Sequence, residues 1–166
     1  MLPAPDSGYA ARMPAPFAVL GIRTAGERLT GIEYLPRGAA TLDPIDRFAE
    51  RVCRQIERYL DDPGFRFDLP FDYRGTDFQC RVWRAIHAIP SGRTLTYVDI
   101  ARGLRTAPRP VGGACGANRI PLVIPCHRVV ASGGIGGFMH SRRGPGIENK
   151  RWLLRHERVD AEMSNG

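Results

Sequence analysis

The balance of charged residues changes abruptly near Tyr73, and this break limits how the chain can fold. Residues 1–73 contain 9 arginines and 11 acidic residues, whereas residues 74–158 contain 15 arginines or lysines and only 4 acidic residues. A chain of 166 residues can bury one good core or two small ones that share an interface. The break favours two lobes. The cationic second half fits binding to a polyanion, although a solvated arginine-rich surface explains the charge equally well.

The chain before this break predicts a loose tail over residues 1–16, followed by a small α/β lobe over residues 17–73. The tail is rich in proline and alanine and has no periodic pattern. Two β-prone runs, residues 17–23 and 29–35, are joined by a short connection that contains Gly26, a pattern typical of a β-hairpin.

The rest of this lobe predicts one helix and one strand. Asp43 offers a side-chain cap and Pro44 suits the first helical position, after which apolar residues recur on one helical face up to Asp61. Residues 65–69 alternate between apolar and charged side chains, which predicts a half-buried strand.

The second lobe, residues 74–158, is predicted to be mainly helical. Thr76 with Gln79 forms a capping box before an amphipathic helix, and Thr96 with Asp99 can cap a second, shorter helix. The second of these helices, the turn that follows it and the next predicted helix together resemble a helix-turn-helix unit.

Small residues fill the third predicted helix, which is expected to open at Pro110 and to end at Ala117. Small side chains allow a close approach either to a core or to a DNA groove, and tight packing is the default interpretation. A buried strand is predicted at residues 121–124, a long loop at 132–146 and a last helix at 147–158. Residues 159–166 are expected to form a tail.

Four cysteines are spread along the chain without metal-binding or disulfide spacing; they are Cys53, Cys80, Cys115 and Cys126. We therefore expect neither a zinc site nor a disulfide framework. Only Cys126 has unusual neighbours, since His127 and Arg128 follow it directly. Cationic groups lower the pKa of a thiol and an imidazole can accept its proton, so Cys126 is a candidate nucleophile, although a Cys-His step is more often structural.

The sequence around this step resembles the O6-alkylguanine-DNA alkyltransferase family. The resemblance runs from Thr76 to about Glu157 and includes, in order, Gly-Thr-x-Phe-Gln, Ile-Pro-x-Gly, Thr-Tyr, Arg-x-Val-Gly-Gly-Ala, an asparagine, and Pro-Cys-His-Arg-Val-Val. It implies an α/β N-terminal lobe, ribonuclease-H-like, packed on a mainly α winged helix-turn-helix C-terminal lobe. The N-terminal lobe matches the family only in outline.

The resemblance implies a role for four residues at the reactive centre. Cys126 would accept the alkyl group, His127 would act as a base through water, and Glu157 would orient the histidine. A carboxylate on one imidazole nitrogen fixes the tautomer, so the other nitrogen can relay the thiol proton. Asn118 would brace the recognition helix against the cysteine segment; considered alone, it is an ordinary helix stop.

The resemblance also implies DNA contacts. Tyr97 would crowd the target phosphate and contact the base, and Arg109 would fill the gap left by a flipped nucleotide. The carbonyls of Cys126 and Val129 would accept the exocyclic amine of guanine. Three further residues would touch the DNA backbone or groove wall: Pro110, Gly112 and Ser132.

The segment after the cysteine departs from the family pattern of Gly-Tyr followed by small residues. Residues 136–146 form a longer, bulkier and more basic loop. In the family, this loop forms the wall of the alkyl-binding pocket that limits the size of the alkyl group and supplies a hydrogen-bond donor to O6. The departure therefore puts the range of alkyl groups in doubt.

These features predict single-turnover repair of O6-alkylguanine in duplex DNA, approached from the minor groove, without metal or organic cofactor. One alternative is a protein that flips alkylguanine without accepting the group, and a second is a winged-helix regulator. A cysteine hydrolase has little support, because no oxyanion-hole motif is recognisable. No apolar run approaches the roughly 18 residues that cross a bilayer. We expect a cytoplasmic monomer that does not bind membranes.

Overall fold

The computed structural model describes residues 8–136 and 145–159 of a chain with mixed α/β content. It divides into two compact units, Met1–Asp72 and Tyr73–Gly166. This division lies one residue before the boundary expected from the charge break. No helix among the described residues is long and apolar enough to cross a membrane.

The first unit contains a three-stranded antiparallel sheet with the strand order β1-β2-β3. Its strands are β1 (Ala11–Pro14), β2 (Val19–Ala25) and β3 (Arg28–Leu35). The predicted hairpin between β2 and β3 is confirmed, with Ala25 opposite Arg28 across the turn. Gly26 has a φ of 60° in this turn, a left-handed conformation that glycine adopts without steric cost.

Strand β1 corrects the expectation of a loose tail over residues 1–16. Ala11 pairs with Ile22 of β2, and Ala10, Ala11 and Met13 are buried. A proline-rich segment can still form an edge strand, because Pro14 ends the strand and its missing N–H is not needed in the ladder. Residues 1–7 lie outside the described part of the chain.

Helix α1 (Arg47–Asp61) packs one apolar face in this unit and begins three residues later than predicted. Asp46, rather than Asp43, is the cap, since its Oδ1 accepts a hydrogen bond of 2.8 Å from the Ala49 amide. Four large side chains on one face are buried: Phe48, Val52, Ile56 and Tyr59.

The strand predicted at residues 65–69 is not formed. The side chain of Gln55 on α1 occupies the backbone groups of Asp68: its Nε2 donates to the carbonyl oxygen at 3.1 Å and its Oε1 accepts from the amide at 2.8 Å. The backbone N–H and C=O of Asp68 thus find their hydrogen-bond partners on a side chain and not on a partner strand. A single bridge, between Leu29 and Phe71, follows this segment and connects the chain to β3.

The second unit is mainly helical, as predicted. Its helices are α2 (Asp77–His87), α3 (Tyr97–Leu104), α4 (Pro108–Gly116) and α5 (Pro145–His156), and its strands are β4 (Leu95–Thr96) and β5 (Val129–Val130). Both predicted capping boxes are present, at Thr76 with Gln79 and at Thr96 with Asp99. Trp83 of α2 donates its indole N–H to the Ala114 carbonyl at 2.8 Å and so fixes α2 against α4.

Two boundaries in this unit differ from the predictions. Helix α4 begins at Pro108 rather than Pro110, because Pro108 takes the first helical position, where a missing N–H costs nothing. Residues 121–124 form a turn rather than a strand: Leu122 has a φ of 79°, and the Ile124 amide donates to the Ile120 carbonyl at 2.9 Å.

Strands β4 and β5 form a short parallel pair that the sequence did not predict. Leu95 lies opposite Val129 and Thr96 opposite Val130. Strand β4 leads directly into α3, and β5 directly follows Cys126–Arg128, a single 3-10 turn. The pairing therefore fixes the start of α3 beside the segment that carries Cys126.

Candidate active site

Cys126 opens the 3-10 turn at the end of a buried, irregular segment. Its backbone amide donates to the Ile124 carbonyl at 2.8 Å, and its own carbonyl accepts from the Val129 amide. Its residue exposure is only 4%, so the thiol is held inside the unit by a fixed backbone.

Asn118, just beyond α4, connects this helix with the cysteine segment. Its Nδ2 donates to the Ile124 carbonyl at 2.8 Å and to the Cys126 sulfur at 3.0 Å, while its Oδ1 accepts from the Ile120 amide at 2.9 Å. The side chain is buried. It can therefore stabilise negative charge on the sulfur as well as hold the backbone, and burial strengthens both interactions.

A buried ion-pair network lies next to the thiol. Glu157 accepts hydrogen bonds from His127 Nε2 at 2.7 Å and from Arg128 Nε and a terminal guanidinium nitrogen at 2.8 and 3.0 Å. Burial opposes ionisation of Glu157, but His127 and Arg128 together hold the pKa of this carboxyl well below its usual value. Glu157 is thus a carboxylate.

The network also fixes the tautomer of His127. Burial, the largest cause, lowers the pKa of this imidazole below 6.5 despite the neighbouring carboxylate, so the ring is neutral near neutral pH. Because Glu157 can only accept, the ring proton must sit on Nε2, and Nδ1 carries a lone pair. Nδ1 is buried and has no hydrogen-bond partner within the described residues. It is the free base of the site.

The electrostatics of the thiol differ from the sequence expectation. A hydrogen bond with Cys115, followed by burial, raises the pKa of Cys126 well above 9.0, although Asn118 and Lys150 act in the opposite direction. Arg128, expected to favour the thiolate, instead directs its guanidinium to Glu157 and to the Ile89 carbonyl at 2.6 Å. At rest Cys126 is a thiol, and forming the thiolate requires proton removal.

Lys150 on α5 is the member of this site that sequence reasoning missed. Its side chain is buried and its Nζ donates to the Val129 carbonyl at 2.7 Å. Burial lowers its pKa to about 8, partly offset by Cys115 and Cys126. Two signals were available: it is the only lysine of the chain, and it precedes Glu157 by seven residues, which places both on one face of a helix.

The other predicted contact residues lie mostly at the surface of the second unit. Arg109 and Pro110 are exposed in the first turn of α4, Gly112 is half-buried, and Ser132 is exposed in the turn after β5. Tyr97, the first residue of α3, is half-buried with its ring centroid 5.9 Å from Lys150 Nζ. The structure thus brings the four predicted reactive residues together; within the unusual loop, residues 137–144 lie outside the described part.

This arrangement has the parts of a nucleophilic site. It combines a sulfur nucleophile, a hydrogen-bond donor for the thiolate, and a neutral imidazole whose second nitrogen is bound to an ionised carboxylate. Cys126 and His127 are adjacent in sequence, and any proton transfer between them must use the free Nδ1 of the ring.

Comparison with known proteins gives consistent matches. Residues 77–159 match the family described as 6-O-methylguanine DNA methyltransferase, DNA binding domain. A methylated-DNA–protein-cysteine methyltransferase from Mycolicibacterium paratuberculosis is 44% identical over 82% of this chain and 81% of that protein. The regulatory protein ada of Salmonella typhimurium is 38% identical over 72% of this chain, which spans only 33% of that protein.

Solved structures with similar folds come from Mycobacterium tuberculosis. Its O6-methylguanine methyltransferase has a TM-score of 0.76 at 32% identity, with 95% of each chain covered. A second structure, of the same organism's OGT in complex with DNA, has a TM-score of 0.73 at 35% identity and covers 90% of this chain and 92% of that one.

Proposed function

Because the chain belongs to the 6-O-methylguanine DNA methyltransferase family, we propose that it repairs DNA by moving the alkyl group of an O6-alkylguanine onto Cys126. The observation that carries this proposal is the buried Cys126 sulfur, which receives a hydrogen bond from Asn118 and lies beside the His127–Glu157 pair. The conclusion concerns the second unit, which holds every residue of the site.

The proton of the Cys126 thiol passes through one water molecule to His127 Nδ1. The imidazolium formed is stabilised by the Glu157 carboxylate 2.7 Å from Nε2. The thiolate then attacks the alkyl carbon in line with the C–O bond, which breaks with its electron pair on guanine O6. The guanine anion then takes up the proton that the imidazolium releases, so that an unmodified guanine and a neutral His127 are restored.

The product explains why each chain acts once. The thioether on Cys126 is not a leaving group under these conditions, so the acceptor stays alkylated. The transfer itself uses the chain's own residues and one water molecule and needs no cofactor. Since the acceptor must be a reduced thiol and the four cysteines are free, we place the protein in the reducing cytoplasm.

Recognition of the base depends on backbone carbonyls at the mouth of the site. The carbonyls of Cys126 and Val129 accept the exocyclic amine of guanine. Lys150 supports this role, because its Nζ donates a hydrogen bond of 2.7 Å to the Val129 carbonyl oxygen. This bond fixes the direction of the oxygen's second lone pair, which can accept from guanine.

We assign the second unit to the winged helix-turn-helix class, with α3 and α4 as the helix pair, and the first unit to the ribonuclease-H-like class. Helix α4 enters the minor groove of duplex DNA. A Cβ built at Gly112 or Gly113 meets nothing within 4 Å, so packing does not require small residues there. Close approach to an external surface, such as a groove wall, does explain them.

Arg109 and Tyr97 complete the DNA contacts of a flipped base. Arg109 is exposed at the start of α4, where its planar guanidinium can replace the extruded base in the stack. Tyr97 contacts the target base and its phosphate, and Pro110, Gly112 and Ser132 touch the backbone or groove wall. We propose that one monomer serves each lesion.

The test measures removal of O6-methylguanine from a duplex in excess over protein. Removal should stop at one lesion per chain, whereas Cys126→Ala should remove none while still binding the methylated duplex in a fluorescence anisotropy titration. Continued turnover contradicts the single-use acceptor. Binding without removal by the unmodified chain indicates a protein that recognises the lesion without accepting its alkyl group.

A further inference from the structure

A second thiol lies against the alkyl acceptor and has no part in the transfer described above. Cys115 belongs to the last turn of α4, and its residue exposure is 7%. The Cys126 sulfur donates to the Cys115 carbonyl oxygen at 3.6 Å, and Cys115 is the largest cause of the raised pKa of the Cys126 thiol. Two buried cysteines that lie next to each other can do chemistry that neither can do alone.

We propose that Cys115 and Cys126 form a redox modification site, in which hydrogen peroxide converts the two thiols into a disulfide that withdraws the alkyl acceptor. This proposal goes beyond the transfer reaction, because it concerns the protein without DNA. It requires only that both thiols are reduced at the start, as they are in the structure.

The chemistry proceeds in two balanced steps. One sulfur attacks hydrogen peroxide, the O–O bond breaks, and a sulfenic acid and water are formed. The second sulfur then attacks the sulfenic sulfur, the S–O bond breaks, and a second water leaves with the thiol proton. Overall, two thiols are oxidised by two electrons, and one peroxide is reduced to two waters. A dithiol reductant reverses the modification by exchange.

Lys150 favours this reaction. The Cys115 hydrogen bond and burial keep Cys126 a thiol, but Lys150 acts against them and lowers the pKa of this thiol, since a cation stabilises the attacking thiolate. Gly116, the last residue of α4, follows Cys115 and can absorb the backbone adjustment that brings the sulfurs to the bond length of about 2 Å.

The geometry also predicts what the disulfide changes. Bond formation draws the Cys126 sulfur toward α4 and consumes the thiol that Asn118 contacts at 3.0 Å. An acceptor in this form cannot attack an alkyl carbon. It is also protected from further oxidation to sulfinic acid, which is irreversible for most proteins.

The experiment exposes the protein to hydrogen peroxide without DNA and follows intact mass and peptide maps. We expect a monomer lighter by two hydrogens, a linked peptide pair containing Cys115 and Cys126, and complete reversal by dithiothreitol. Cys115→Ala should instead accumulate sulfinic or sulfonic acid at Cys126, which dithiothreitol does not reverse. Cys80→Ala is the matched control and should form the disulfide as the unmodified chain does.

Two outcomes would overturn the proposal. One is oxidation of Cys126 to sulfinic acid in the unmodified chain without the linked peptides; the other is equal reversibility in Cys115→Ala. Both readouts are masses of cysteine peptides, so they are independent of whether the protein transfers alkyl groups. A chain that forms the disulfide but never repairs DNA would overturn the proposed function and leave the redox site intact.

Discussion

Replacing Arg128 with methionine tests the interpretation of the buried network most severely. The substitution Arg128→Met keeps much of the side-chain volume but removes the guanidinium. Arg128 is 11% exposed in its side chain and Glu157 is fully buried, so solvent cannot take over the lost contacts. Glu157 would lose the two hydrogen bonds from Arg128 and keep the one from His127.

The expected loss follows from these contacts. Arg128 donates two hydrogen bonds to the carboxylate and a third, of 2.6 Å, to the Ile89 carbonyl. Removing one partner of a buried ion pair costs about 3–5 kcal/mol, because an uncompensated charge remains. Arg151→Met removes a contact with Glu148 in which the two side chains are 35% and 64% exposed. An exposed pair of this kind is worth about 0–1 kcal/mol, which makes it the matched control.

Urea unfolding followed by tryptophan fluorescence measures both variants. Both tryptophans, Trp83 and Trp152, belong to the second unit, so the signal reports on the part of the chain that carries the site. With a slope of about 1–3 kcal/mol/M, Arg128→Met should lower the midpoint by at least about 1 M. Arg128→Lys keeps the positive charge but loses the bidentate contact, so its urea midpoint should lie between those of Arg128→Met and Arg151→Met. Equal shifts for Arg128→Met and Arg151→Met would refute the reasoning.

Three further predictions concern the same site. Asn118→Ala removes three buried hydrogen bonds, so it should lower the free energy of unfolding by about 2–4 kcal/mol and slow alkyl transfer at least about tenfold, as urea titration and single-turnover kinetics would measure. The transfer rate should be nearly constant from about pH 7 to about pH 9, because burial keeps His127 neutral while the Cys115 hydrogen bond and burial keep Cys126 a thiol, so both groups already have the forms that the proton relay needs; a rate that rises about tenfold per pH unit would contradict the relay through His127. Burial opposes ionisation of Glu157, but His127 and Arg128 hold its folded-state pKa below the ordinary value of 4.5. The carboxylate should therefore stabilise the folded chain fully above about pH 4.5, and this stabilisation should be lost as the pH falls through the lowered pKa. In Glu157→Gln, the free energy of unfolding should depend less on pH in this acidic range, as urea titrations at a series of pH values would measure.

Local signals in the sequence predicted helices α2 and α3 of the second unit well. In the capping boxes at Thr76 and Thr96, the threonine hydroxyl accepts from the amide three residues later, and the side chain of that residue accepts from the threonine amide. Both helices start where predicted. Competing local signals caused the errors: Asp43 and Pro44 resemble a helix start, but the cap three residues later is the one used.

Contacts between residues distant in sequence were not predictable in this way. The two-residue strands β4 and β5 are too short to show periodicity, and the segment around Asp68 lost its predicted strand to the side chain of Gln55. In the site, the roles of Cys126 and His127 followed from a resemblance. The raised pKa of the thiol did not, because it depends on how deeply the sulfur is buried and on Cys115 beside it.

The most direct test of the central claim is to locate the transferred group by peptide mapping after incubation with duplex DNA containing O6-methylguanine. The account predicts one methyl group per chain, on the sulfur of Cys126, with Cys53, Cys80 and Cys115 unmodified and the guanine restored. A methyl group on another residue, or loss of the lesion from DNA while Cys126 stays unmodified, would contradict it.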